Sequence, residues 1–138
     1  MLTQRFSCSL NNLERICDFI AECAKEAGLD ESELYAVQLA VDEASTNIIE
    51  HGYGQECPSR IDVTCEVLAD GLKVMIYDDA APFDPTVMPD PDVNVSLEEV
   101  KPCGLGIYLM RKMMDEVHYE SNQDTGNILT MIKRHHKK

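Results

Sequence analysis

Two polar side chains lie at helical spacing inside the apolar stretch from Leu34 to Tyr53. Glu43 and Asn47 are four residues apart, so on an α-helix they are neighbours on one face. A carboxylate can act as a general base, and a carboxamide oxygen can ligate a hard cation such as Mg²⁺. Because burying either group without a polar partner is costly, the pair indicates a solvated helix edge, a contact to a neighbouring loop, or a ligand site.

Two further features could take part in chemistry. Asp78 ends an apolar, strand-like stretch and is followed by the turn-like residues D-A-A-P-F-D-P. Gly104 and Gly106 enclose Leu105 just before an apolar helical pattern, where backbone N–H groups and the helix dipole favour anions. Each feature is weak alone, because an Asp at a strand end is most often a turn former and a G-L-G more often only accommodates a loop. The sequence contains neither a Walker A nor a Rossmann glycine pattern.

The helix that carries Glu43 and Asn47 has a clear start. Asp30 is a favourable N-cap, and Glu33 follows three residues later as in a capping box. Apolar residues then recur at helical spacing and predict a core-facing stripe. We expect Gly52 and Gly54 to end this helix. The stripe consists of Leu34, Val37, Val41, Ala44 and Ile48.

The other patterns predict strands and two more helices. Asn11 or Asn12 can cap a first helix that Gly28 stops, and Asp70-Gly71 predicts a hairpin. Such hairpins with separate helices favour an α+β fold, a two-layer α/β sandwich in one domain over residues 1–138, rather than a parallel doubly wound sheet. The predicted strands are 2–8, 60–68, 72–78, 117–121 and 127–134, and the last helix opens at the glycine pair.

Residues 79–103 interrupt these patterns. They contain five of the six prolines together with several acids, and they show little periodicity. A loop of this length inside a compact domain is usually functional or mobile.

The composition restricts the classes of function. The net charge is −13, and because the last six residues carry four positive charges, the remainder carries −17. Such acidity argues against nucleic-acid binding, which depends on neutralising phosphates, and it suits a basic protein partner. The six cysteines have no zinc-site spacing, no secretion signal is visible, and no apolar run approaches the roughly 20 residues of a membrane span. We therefore expect a cytoplasmic protein with reduced thiols and no membrane contact.

Three motifs in this order resemble those of a known superfamily. E-A-S-T-N-I-I-E-H-G-Y is similar to an N box, I-Y-D-D-A-A-P-F-D-P to a G1 box, and C-G-L-G-I-Y-L-M-R-K-M-M-D-E-V to a G2 box. These boxes belong to the ATP-binding module of gyrase, heat-shock chaperones, sensor histidine kinases and mismatch-repair ATPases (the GHKL superfamily). The residues of the three motifs are most similar to those of its small bacterial branch, the anti-sigma factor serine/threonine-protein kinases of partner-switching systems. The resemblance covers nearly the whole chain.

The resemblance implies a Bergerat-type fold. In that fold, helices cover one face of a mixed, mostly antiparallel sheet. Residues 79–103 would form an ATP lid that moves with nucleotide state.

The resemblance also implies roles for individual residues. Asn47 would ligate Mg²⁺, and Glu43 would be the general base toward a serine or threonine hydroxyl, or toward water. Asp78 would accept the adenine 6-amino group, and Thr130 on the last strand would support that contact. The backbone around Gly104, Leu105 and Gly106 would approach the phosphates of ATP or ADP. Lys101 is either a phosphate contact or a solvated lid lysine.

Two departures from the motifs put nucleotide affinity in question. Ala80 stands where the G1 box usually has glycine, which restricts the backbone and crowds the pocket. Cys103 takes the first place of the glycine pair that usually opens the G2 box.

Three functions remain open on this basis. The leading one is an ATP- and Mg²⁺-dependent kinase that phosphorylates a small antagonist protein, sequesters a sigma factor and works as a homodimer. The second is a nucleotide-dependent binding module without significant phosphotransfer. The third is a detached histidine-kinase catalytic domain.

Overall fold

The computed structural model describes residues 1–7, 10–49, 60–79, 102–122 and 126–135. The order of elements within these residues is β-α-α-β-β-α-β-β, as the sequence patterns predict. The expected turn glycines Gly52 and Gly54 lie outside the described residues. The elements are β1 Leu2–Ser7, α1 Leu13–Glu26, α2 Glu31–Asn47, β2 Arg60–Leu68, β3 Gly71–Asp78, α3 Pro102–Met113, β4 Glu116–Asn122 and β5 Gly126–Arg134.

The five strands form one sheet in the order β1-β2-β3-β5-β4, and all four pairings are antiparallel. The α+β class is confirmed, but the described sheet is fully antiparallel rather than mixed. The topology explains the difference. Strands β3 and β4, which flank α3, run parallel to each other, but β5 lies between them, so they do not pair.

The helices cover one face of the sheet. Alternate residues of β2, β3 and β5 point toward the helices and are buried, which is the period expected of strands with one covered face. Helix α1 packs on β1 and β2, and α2 packs between α1 and α3 and contacts β5. The covered sheet face includes Ile61, Val63, Cys65, Leu72, Val74, Ile76, Leu129 and Met131.

The start of α2 forms as predicted. The Asp30 side chain accepts a hydrogen bond from the Glu33 backbone N–H at 2.7 Å, and the Glu33 carboxylate accepts one from the Asp30 N–H at 2.8 Å. This reciprocal pair is a complete capping box, which satisfies two donors that a helix otherwise leaves without partners.

The ends of α1 follow the prediction in part. Gly28 has φ +75°, and the hydrogen bonds Leu29 N–H to Ala24 C=O and Gly28 N–H to Lys25 C=O form a Schellman motif. Asn12 precedes the helix, but its side chain makes no capping hydrogen bond. The reason is that a 3-10 turn, Leu10–Asn12, places its backbone in the helical region already.

Two cysteines meet in the core between α1 and the sheet. Cys23 and Cys65 are free thiols, and both are buried. The pKa of each thiol is raised, mainly because burial disfavours the charged thiolate. Both thiols therefore stay protonated and unreactive at neutral pH. Among the described helices, none is both long and apolar enough to cross a membrane.

We predict that Asp30→Ala lowers the free energy of unfolding by about 1 kcal/mol, because it removes the side-chain acceptor of the capping box. Ser32→Ala is the matched control, since Ser32 is exposed in the same helical turn. Urea unfolding of the two variants measures the difference. Equal stabilities would show that the cap contributes nothing.

We also predict a pH effect from the buried thiols. Above the ordinary thiol pKa of 9.0, the unfolded chain loses the Cys65 proton while the folded chain keeps it, so stability falls as pH rises. The free energy of unfolding should fall more steeply in the wild type than in Cys65→Ala, by up to about 1.4 kcal/mol per pH unit. Val63→Ala, a truncation of a neighbouring core residue, should keep the wild-type slope. An unchanged slope in Cys65→Ala would contradict the buried, protonated thiol.

Candidate functional site

A row of three polar side chains crosses the end of the sheet. Asp78 is the last residue of β3, lies opposite Asn127 of β5 and is 8% exposed. Asn127, which is 3% exposed, donates from Nδ2 to Asp78 Oδ1 at 2.9 Å. Ser121 of β4 lies opposite Asn127 and donates from Oγ to Asn127 Oδ1 at 2.7 Å. The hydrogen bond from Asn127 offsets part of the cost of burying a carboxylate.

Gly126 permits this arrangement. Its φ is +79°, and a Cβ there would lie 2.6 Å from the Asp78 carbonyl oxygen and 2.7 Å from Asp79 Oδ1. Both distances are impossible for a real side chain, so only glycine lets β5 begin directly beside the end of β3.

Helix α2 brings polar groups into the layer above the sheet. Asn47 is 9% exposed, Glu43 is half-buried, and Ser45 is fully buried. Among the described residues, Ser45 Oγ has no hydrogen-bond partner. A helix segment that buries amide and hydroxyl groups within three residues differs from an ordinary core face, because buried polar groups are normally few and paired. The buried polar groups at the end of α2 therefore indicate a ligand site.

The two adjacent carboxylates of α2 have different surroundings. Burial raises the pKa of Asp42, and the charge of Asp42 in turn raises the pKa of Cys17 on α1, after the larger effect of burial on that thiol. Asp42 is thus directed at the interface between α1 and α2. Glu43 is the carboxylate that shares a face with Asn47.

Helix α3 begins at Pro102, so Gly104, Leu105 and Gly106 lie in its first turns. A proline at the start of a helix is favourable because its missing N–H has no helical acceptor there. Cys103 lies in the first turn as well. Ala80, Lys101 and most of the expected lid fall in 80–101, outside the described residues.

Thr130 does not lie beside Asp78. It is opposite Met75 in β5, three residues beyond Asn127, and so its side chain belongs to the other face of the sheet. Asn127 is the residue that the sequence patterns missed. Its position beside Asp78 follows from the pairing register of β3 and β5, which the sequence alone does not specify.

Two cavities lined by described residues have no predicted site residue in their linings. One, of about 230 Å³, lies at the junction of α3 and β4 around Arg111 and Glu116. The other, of about 240 Å³, lies between α1 and the start of β1 and is lined by Cys23 and Cys65. The polar row at Asp78 remains the best-supported site.

Comparison with known proteins agrees with this fold. The histidine kinase-like ATPase domain matches residues 6–133 of the chain. Serine-protein kinase RsbW of Bacillus velezensis is 30% identical over 115 residues, which are 80% of this chain and 70% of that protein. Serine/threonine-protein kinase BtrW of Bordetella bronchiseptica is 32% identical over 97 residues, 70% and 68% of the two chains. Anti-sigma F factor of Clostridium novyi is 28% identical over 102 residues, 74% and 71% of the two chains.

Solved structures share the fold. The crystal structure of the RsbU and RsbW domains of a Mycobacterium tuberculosis protein has a TM-score of 0.61 and 14% identity, and covers 97% of this chain. The match spans about a third of that longer chain, 32%. A histidine kinase domain from Erythrobacter litoralis has a TM-score of 0.55 and 16% identity, covering 94% of this chain and 61% of its own. The resemblance carried by the three motifs is confirmed, and the chain belongs to the histidine kinase-like ATPase domain family.

Proposed function

We propose that this protein is an ATP- and Mg²⁺-dependent serine/threonine-protein kinase that acts as an anti-sigma factor. The observation that carries the proposal is the buried carboxylate of Asp78, held by Asn127 at the end of β3. A buried acceptor beside a helix layer that also contains Asn47 suits the amino group of adenine better than an apolar ligand. The names of the curated relatives, serine-protein kinases and an anti-sigma factor, support the same activity.

The residues of this chain would divide the work. Asp78 accepts the adenine amino group, and the backbone of Gly104, Leu105 and Gly106 binds phosphate at the start of α3, where the helix dipole favours anions. Glu43 orients the attacking hydroxyl of the protein substrate and accepts its proton.

The side chains present also fit a magnesium ion. Asn47 offers a carboxamide oxygen from a buried position on the face of α2 that it shares with Glu43. A magnesium ion held there would offset negative charge on the phosphates of ATP.

Lys101 and Ala80, in the proposed lid over 79–103, would complete the phosphate and base contacts. The partners we propose are a small antagonist protein as phosphoacceptor and a sigma factor, bound by a homodimer in the cytoplasm, where the protein regulates transcription. The acidic surface, with a net charge of −13, suits a partner with a basic patch and does not suit direct nucleic-acid binding.

We expect wild-type protein to bind ATP in a Mg²⁺-dependent way and Asp78→Asn to bind it at least about tenfold more weakly, because the amide replaces the carboxylate acceptor of the adenine amino group. Asp79→Asn removes the same charge from the next, exposed residue and is the matched control. Calorimetry with and without Mg²⁺ measures both. Absence of ATP binding by the wild type would overturn the proposed function.

A second prediction concerns phosphotransfer. Glu43→Gln should lower transfer from radiolabelled ATP to a candidate antagonist protein by about a hundredfold or more while ATP binding persists. Asp42→Asn, which changes the neighbouring carboxylate directed at α1, should retain transfer.

Two results would revise the kinase assignment. Label that remains when the acceptor serine of the antagonist is replaced by alanine would contradict the serine kinase. ATP binding without any transfer by the wild type would favour the nucleotide-dependent binding module, for which Ala80 and Cys103 are the sequence indication.

A further inference from the structure

We propose that Asn127, oriented by Ser121, is a positioning residue that makes Asp78 select a 6-amino purine over a 6-oxo purine. This inference rests on the proposed role of Asp78 as the base contact. It concerns the specificity of that contact, which depends on how the carboxylate is held rather than on its presence alone.

The two hydrogen bonds of the row are compatible with only one orientation of the Asn127 side-chain amide. An ionised carboxylate only accepts hydrogen bonds, so the end of the Asn127 amide that faces Asp78 must be Nδ2. The other end, Oδ1, then faces Ser121, whose hydroxyl must donate. A flipped amide would place two acceptors against each other at the buried Asp78. Ser121 therefore stabilises the amide orientation that Asp78 requires.

The location of the row makes this orientation persistent. Asp78, Asn127 and Ser121 are direct partners across three adjacent strands. Backbone pairing along β3, β5 and β4 sets the spacing of their Cα atoms. Asp78 is 8% exposed and Asn127 is 3% exposed. Water has little access to replace the buried hydrogen bond between Asn127 and Asp78. Only the Ser121 end of the row is exposed.

The consequence for the base follows from donor and acceptor chemistry. A 6-amino purine presents a donor to the carboxylate, whereas a 6-oxo purine presents an acceptor, which an ionised carboxylate repels. A buried carboxylate that loses the Asn127 N–H takes up a proton more readily, and a protonated carboxyl can donate to a 6-oxo group. Asn127 thus keeps Asp78 in the form that rejects the 6-oxo base.

The test compares the affinities of ATP and inosine triphosphate by calorimetry with Mg²⁺ at several pH values. The two bases differ in the group at position 6 and in the proton that the 6-oxo base carries on N1. In Asn127→Leu, which has similar volume but no N–H, the ratio of the two affinities should fall by about tenfold. The fall should grow as the pH decreases, because protonation of Asp78 drives it. Asn127→Thr, which keeps a donor, should recover much of the ratio, and Ile128→Val on the other sheet face should leave it unchanged.

Ser121→Ala gives the test a second, milder arm. Its side chain is exposed, so this variant keeps the fold even if Asn127→Leu does not, and the ratio should fall by about threefold as the amide loses its orienting donor. The inference would be overturned if the wild type prefers ATP and Asn127→Leu has the same affinity ratio. If Asn127→Leu does not fold, an unchanged ratio in Ser121→Ala would overturn it instead. Either result would leave the proposed function intact. Wild-type protein that binds neither nucleotide would overturn both.

Discussion

The buried charge of Asp78 is the constraint on which the site depends. A carboxylate taken out of water is costly unless a donor meets it, and the side chain of Asn127 supplies a donor to Asp78. Asn127 reaches it because β3 and β5 pair in one particular register. A slip of one residue would turn Asn127 to the opposite sheet face. The polar site and the register of the sheet therefore specify each other.

The strand order also separates the site from the exposed ion pairs at the opposite end of the sheet. Insertion of β5 between β3 and β4 puts Asp78 on the central strand, with Gly126 allowing the close approach of the neighbouring chain. At the other end of the same strands, Arg134 pairs with Asp70 and Glu116 at the exposed surface. Such exposed ion pairs contribute little to stability. The apolar core between the two ends is what holds the strands in place.

Features set by neighbouring residues were predictable from the sequence, and features set by distant pairing were not. The capping box of Asp30 and Glu33 and the turn at Gly28 involve residues only a few positions apart, and both form as predicted. Thr130 was expected beside Asp78, but strand register places Asn127 there instead. The absence of a parallel pair in the described sheet likewise follows from where β5 inserts, which no local pattern specifies.

The elements that carry the site differ in how firmly they are held. Asp78 belongs to a strand with backbone hydrogen bonds to β2 on one side and β5 on the other. Glu43 and Asn47 belong to α2, which is joined to its neighbours by side-chain packing against α1 and α3. Because packed helices can slide by small amounts while a paired central strand cannot, Asp78 is the fixed reference of the proposed site. A change in helix packing would move Glu43, the proposed general base, relative to the proposed phosphate-binding backbone of α3, and would leave the proposed adenine contact at Asp78 unchanged.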